Sequence, residues 1–118
     1  MSPAALAEQL LPARLPSARH LGARACIFEI AAAGQEQYEA VMQALGQDPA
    51  RLFHCAGPTE DGWMVVEVWE SQEAVDTFLT ERLLPVVRKM GFFASIQQSF
   101  PVHTMRPGRT DGRFAATW

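Results

Sequence analysis

Two of the chain's three histidines, His54 and His103, fall in stretches with strand character, and so do two carboxylates, Glu29 and Glu67. Histidine is the side chain best suited to moving a proton near neutral pH, and a neighbouring carboxylate fixes its tautomer and orientation. Glu67 lies inside Gly62-Trp-Met-Val-Val-Glu-Val-Trp-Glu-Ser71, and at a period of two Trp63, Val65, Glu67 and Trp69 share one face. Aromatic walls hold planar molecules by stacking and keep water out. This set points to acid–base chemistry without a cofactor. In that reading His54 is the base and Glu67 or Glu29 orients it. His103 is a second proton donor, and Trp63, Trp69, Glu29 and Leu52 contact the substrate. One group removes a proton from a carbon acid or a phenol, and the protein holds the anion.

Each residue also has a plainer reading. His54 is a structural histidine bonded to Glu67 or Glu29, and His103 sits at a rim. Glu67 partners an arginine of a second subunit, and the tryptophans are core. By ligand type a metal would fit two histidines and two glutamates, but no HxxH or HxE spacing supports one. Nothing further signals haem. The chain has no Ser-His-Asp set, no nucleotide-binding glycine loop and no nicotinamide fingerprint. No metal and no cofactor are expected.

These residues need strands to hold them. A first strand is predicted over 25–31, with Cys26, Phe28 and Ile30 on one face and Ile27 and Glu29 on the other. A helix follows to about Leu45 on the stripe Tyr38, Val41, Met42 and Leu45, and Gly46 ends it. A second strand over 51–57 puts Leu52, His54 and Ala56 on one face and Phe53 and Cys55 on the other. The polar turn at 58–62 makes it the antiparallel neighbour of the Gly62 strand. Ser71 is a good N-cap for the next helix. Pro85 falls inside that helix and predicts a kink or break near residues 82–84, and Gly91 stops it. A fourth strand spans 95–103, and Pro101 suits an edge.

The order β-α-β-β-α-β is the ferredoxin-like split βαβ, an α+β fold with a four-stranded antiparallel sheet and both helices on one face. The aliphatic face, Met64, Val66 and Val68, is expected to meet the helices. The face with Trp63, Glu67 and Trp69 would then lie on the far side with Glu29, Leu52 and His54. On the fourth strand, Ile96, Phe100 and Val102 toward the helices would put Gln97, Ser99 and His103 on the far side. A bare face with two tryptophans exceeds what a monomer ordinarily exposes, so a homodimer is expected to cover it.

The 118 residues suit one domain. Residues 1–24 read as an N-terminal extension with a short helix over 3–11, 25–105 as the domain, and 106–118 as a C-terminal tail. No apolar run spans a membrane, and the first residues do not read as a secretory leader. Cys26 and Cys55 read as buried reduced thiols, which suits the cytoplasm. Residues 25–105 hold four basic residues against eleven acidic ones, whereas the flanking tails hold six arginines and two acids. An acidic body is not a nucleic-acid surface.

Four stretches carry a family resemblance: Phe53-His-Cys-Ala-Gly57, Asp61-Gly-Trp-Met-Val-Val-Glu-Val-Trp-Glu-Ser71, Phe78-Leu-Thr-Glu-Arg-Leu-Leu-Pro85 and Phe100-Pro-Val-His103. Together they resemble the small dimeric α/β-barrel proteins, and more narrowly the antibiotic-biosynthesis-monooxygenase-like group, over about residues 25–106. The resemblance implies a homodimer whose sheets pack into a barrel. It also implies a small hydrophobic, aromatic or polyketide-like substrate, and a cyclase, isomerase or cofactor-free monooxygenase. Haem enzymes and proteins without known activity share that superfamily. The alternative function is a non-catalytic dimeric ligand-binding or stress-type protein.

Overall fold

The computed structural model describes residues 22–106. The expected helix over 3–11, the N-terminal extension to residue 21 and the tail beyond 106 lie outside the described residues. The elements are β1 (Arg24–Ala31), α1 (Gln35–Leu45), β2 (Arg51–Pro58), β3 (Gly62–Trp69), α2 (Gln72–Thr77), a π-helical stretch (Phe78–Leu83), α3 (Leu84–Lys89) and β4 (Phe93–Pro101). The strands form one open antiparallel sheet in the order β2-β3-β1-β4. This α+β arrangement is compatible with the ferredoxin-like expectation. The helix running from Gln72 to Lys89 is continuous through its π turns.

Local signals mark the element ends as the residue types require. The Ser71 hydroxyl accepts from the Ala74 amide at 3.1 Å, and Gly46 and Gly91 take the positive φ that ends each helix. Pro85 widens the preceding turns instead of breaking the helix, because it has no amide hydrogen for the carbonyl a turn behind it. The Leu84 amide bonds five residues back, to the Leu79 carbonyl. Gly62 pairs with Ala31, and a Cβ there would meet the Ile30 carbonyl oxygen at 2.4 Å, so only glycine closes the β1–β3 register.

The phases of β2, β3 and β4 correct the sequence expectation. Cys26, Phe28 and Ile30 face the helices as expected, but the β3 residues level with them are Glu67, Val65 and Trp63. The Trp–Glu face therefore forms the core, and Met64, Val66 and Val68 lie half-buried on the open face. His54 pairs with Glu67 and joins the helix side too. Trp69 packs on Phe78 at 4.5 Å between ring centroids and is 1% exposed, alongside Phe28, Val41, Leu83 and Val87. Aromatic rings bury more apolar surface per side chain than Met64, Val66 and Val68 would, and fully burying one such side chain contributes about 1.5–3 kcal/mol.

On β4 the expected phase is reversed at the C-terminal end: Ser99 pairs with Cys26 on the helix side and Phe100 with Ala25 on the open face, while Ala94 pairs with Ile30 on the helix side, because the register shifts within the strand. The irregularity in this strand falls opposite Ile27 and Phe28, not at Pro101. Cys26 is buried, but Cys55 is exposed, contrary to expectation. Among the described residues no helix is long and apolar enough to cross a membrane.

Candidate functional site

A buried carboxylate organises the helix side of β2 and β3. Glu67 has no solvent exposure. Its Oε2 accepts from His54 Nδ1 at 2.7 Å and from Arg51 Nη1 at 3.3 Å, and its Oε1 accepts from Trp69 Nε1 at 3.1 Å. The Arg51 and His54 side chains are 4% and 8% exposed, so the whole ion cluster is withdrawn from water. A buried charge is tolerated only when partners replace its hydration, and three donors do so here. The Arg51 guanidinium also lies 5.7 Å from the Trp69 ring centroid.

Arg51 reaches Glu67 because β2 carries a bulge. Arg51 pairs with Trp69 and Phe53 with Val68, so Leu52 is an extra residue. Strict alternation would put Arg51 and His54 on opposite faces. The bulge brings both to Glu67.

The other end of His54 meets α1. Tyr38 Oη lies 2.5 Å from His54 Nε2, and the two rings stack at 6.0 Å. Because the carboxylate accepts from Nδ1–H, Nε2 of the neutral ring is an acceptor, and the phenol donates to it. Trp63 also stacks on Tyr38, at 5.2 Å between ring centroids. The Trp63 indole nitrogen is buried without a hydrogen-bond partner. Burial, followed by the charge of Glu67, pushes the Tyr38 phenol above its ordinary value. The same two causes push the Cys26 thiol, opposite Glu67, up to about 11, so it stays protonated.

Of the expected site residues, His54, Glu67 and Trp69 are brought into one hydrogen-bonded group, with Trp63 attached through Tyr38. Glu29 lies on the other face, level with Met64, and accepts from the Thr59 hydroxyl at 3.1 Å. His103 is exposed beyond the end of β4. Leu52 lines a surface cleft of about 380 Å³ with Gln47, Asp48, Pro49 and Arg51. A second cleft, of about 350 Å³, opens beside Trp63 between the β1–α1 turn and the β2–β3 hairpin. Among the described residues no three His, Cys, Asp or Glu side chains converge as metal ligands would.

Sequence reasoning missed Tyr38 and Arg51. Both had a signal. Tyr38 is the chain's sole tyrosine and sits in the buried stripe of a helix, where a phenol needs a partner. Arg51 is the lone basic residue between 25 and 81, in the most acidic part of the chain.

No protein-family model, no curated protein and no solved structure matches this chain.

Proposed function

We propose that the protein is a cofactor-independent acid–base catalyst acting on a small aromatic or polyketide-like molecule, as a cyclase, isomerase or monooxygenase. One observation carries this reading: the unbroken chain Tyr38–His54–Glu67, with links of 2.5 and 2.7 Å, in a site almost closed to water. A histidine held between a carboxylate and a hydroxyl is the arrangement that moves a proton and stabilises the imidazolium that results. His54 is the proton carrier and Glu67 its orienting partner. Trp63 and Trp69 supply the aromatic surroundings.

The active unit in this reading is a cytoplasmic homodimer joined through the open face of the sheet. That face carries Ile27, Met64, Val66 and Val68, and Phe53 and Phe100 remain 44% and 42% exposed. So much apolar surface suits a second copy of the same sheet.

A thermal-shift and turnover screen tests the function, using aromatic and polyketide-like acids with wild type beside His54→Ala. A compound that binds the native state raises the melting point by mass action. The expected result is turnover that falls by 10²–10⁴-fold in the variant, the usual contribution of a positioned proton carrier. Full activity in His54→Ala would end the reading.

Both ring nitrogens of His54 are engaged within the protein. That saturation favours a second reading, in which the cluster is purely structural and the dimer binds a ligand without converting it. Ligand-induced stabilisation with no product formed would support it.

A further inference from the structure

Exposed apolar surface is concentrated at one edge of the sheet. Of the five large apolar side chains exposed among the described residues, Met90, Phe93, Ile96 and Phe100 fall within one run of eleven residues, and only Phe53 lies elsewhere. That run contains most of β4, an outer strand with no strand beyond it among the described residues. An outer strand presents a row of backbone donors and acceptors, and charged side chains are a usual guard against pairing with another chain. β2, the opposite edge, has such a guard in Arg51 and His54, which point inward. β4 has none. From Met90 to Met105 the chain holds no Asp, Glu, Lys or Arg, although 19% of all its residues are charged.

The register within β4 says what fits there. Phe93 is level with Ala31 and Phe100 with Ala25, both on the open face. Seven residues apart, they would lie on opposite faces of a regular strand. The shift opposite Ile27 and Phe28, where Gln97 is the extra residue, returns them to one face. A two-fold axis between Ile96 and Gln97 would lay β4 antiparallel on a copy of itself. Phe93 then stands opposite the partner's Phe100, Ala94 opposite the partner's Ser99, and Ser95 opposite the partner's Gln98. In each of these pairs both positions belong to the same face of the sheet, which is what a stable register requires. Aromatic pairs close the two ends, and no like charges meet anywhere along the strand.

We infer that β4 is a self-pairing edge, through which two copies of the chain join antiparallel into one continuous sheet with their helices on the same side. A two-fold contact of this kind is closed, because each copy uses its only unguarded edge. It is separate from the face-to-face homodimer proposed above. It uses the rim of the sheet and leaves the face with Ile27, Val66 and Val68 uncovered.

The test is sedimentation of the full chain over a concentration series, with paired substitutions at the exposed positions Ser95 and Gln98. Ser95→Lys with Gln98→Lys sets lysine opposite lysine at two places and should halve the sedimenting mass. Ser95→Lys with Gln98→Glu sets lysine opposite glutamate at the same places and should keep the wild-type mass. Both should give native circular dichroism, since neither side chain lies in the core. Val66→Asp should leave the β4 pair assembled, so that loss of the edge contact and loss of the face contact are read apart. Wild-type mass in the double-lysine variant overturns the inference and gives the edge to another occupant, such as an extended segment of a different protein. A halved mass in both double variants overturns the register, and the inference with it.

Discussion

At the scale of single residues, Glu67 is surrounded so completely that its neighbours should respond to its loss as a group. Glu67→Gln keeps the volume and an acceptor for the Trp69 N–H, but removes the charge that faces Arg51 and His54. The variant should lose about 3 kcal/mol, the usual cost of stripping one partner from a buried ion pair, as read by urea denaturation. Replacing the cluster at once (Glu67→Leu, Arg51→Met, His54→Phe) should cost less than the sum of the single changes, because no charge is then stranded, although the Trp69 N–H and the Tyr38 hydroxyl lose their acceptors. Strict additivity would show that the residues act independently. His54, Glu67 and Trp69 were legible as a group from their types alone. Their depth was not. A face holding a carboxylate ranks as the wetter one in any residue-by-residue count, and nothing local reveals that three donors will reach that carboxylate.

At the scale of elements, the two arginines of the described body beside the α1–β2 turn divide the work of holding it. Arg51 reaches the Gly46 carbonyl at 3.4 Å and Glu67. Arg82, projecting from the π-helical stretch, bonds the last carbonyl of α1, at Leu45, and pairs with Asp48 at 2.5 Å. Arg82 thus supplies positive charge at a helix C-terminus, where the backbone dipole favours it. Its pair with Asp48 is about a quarter exposed and screened accordingly. Arg82→Ala should therefore cost only about 1 kcal/mol in an unfolding titration. Arg82→Lys should recover part of that, since an ammonium cannot span two acceptors as the guanidinium fork does. A loss as large as that of Glu67→Gln would contradict this ranking. Element order, the hairpin, the Ser71 cap and the terminal glycines were all written in local residue types. The phase of β2 was not, because an inserted residue at Leu52 breaks the period of two and leaves no compositional mark. Pro85 announced a disturbance, but widening and breaking a helix look the same in sequence.

At the scale of the whole molecule, the sheet separates two roles. One face carries the Tyr38–His54–Glu67 chain under the helices. The other presents Ile27, Val66, Val68 and Phe100 with no layer of this chain over them among the described residues. Phe93 at the start of β4 is 80% exposed. The proposed homodimer puts a second copy there, so Val66→Asp should halve the sedimenting mass. Its circular dichroism should stay native, because residue 66 lies on the open face, level with Ile27, and not in the core. Wild type that sediments as a monomer at every concentration would remove the dimer.

The extra residue in β2 has a genetic corollary. Val66 and Glu67 are adjacent in sequence yet belong to different tasks, and on β2 it is the bulge that makes Arg51 and His54 agree with that division. Loss of a single codon at Leu52 would turn the guanidinium outward and leave the carboxylate one donor short, although every chemical group survives. Related sequences should therefore vary in side chain at Leu52 well before they vary in the number of residues between Arg51 and His54.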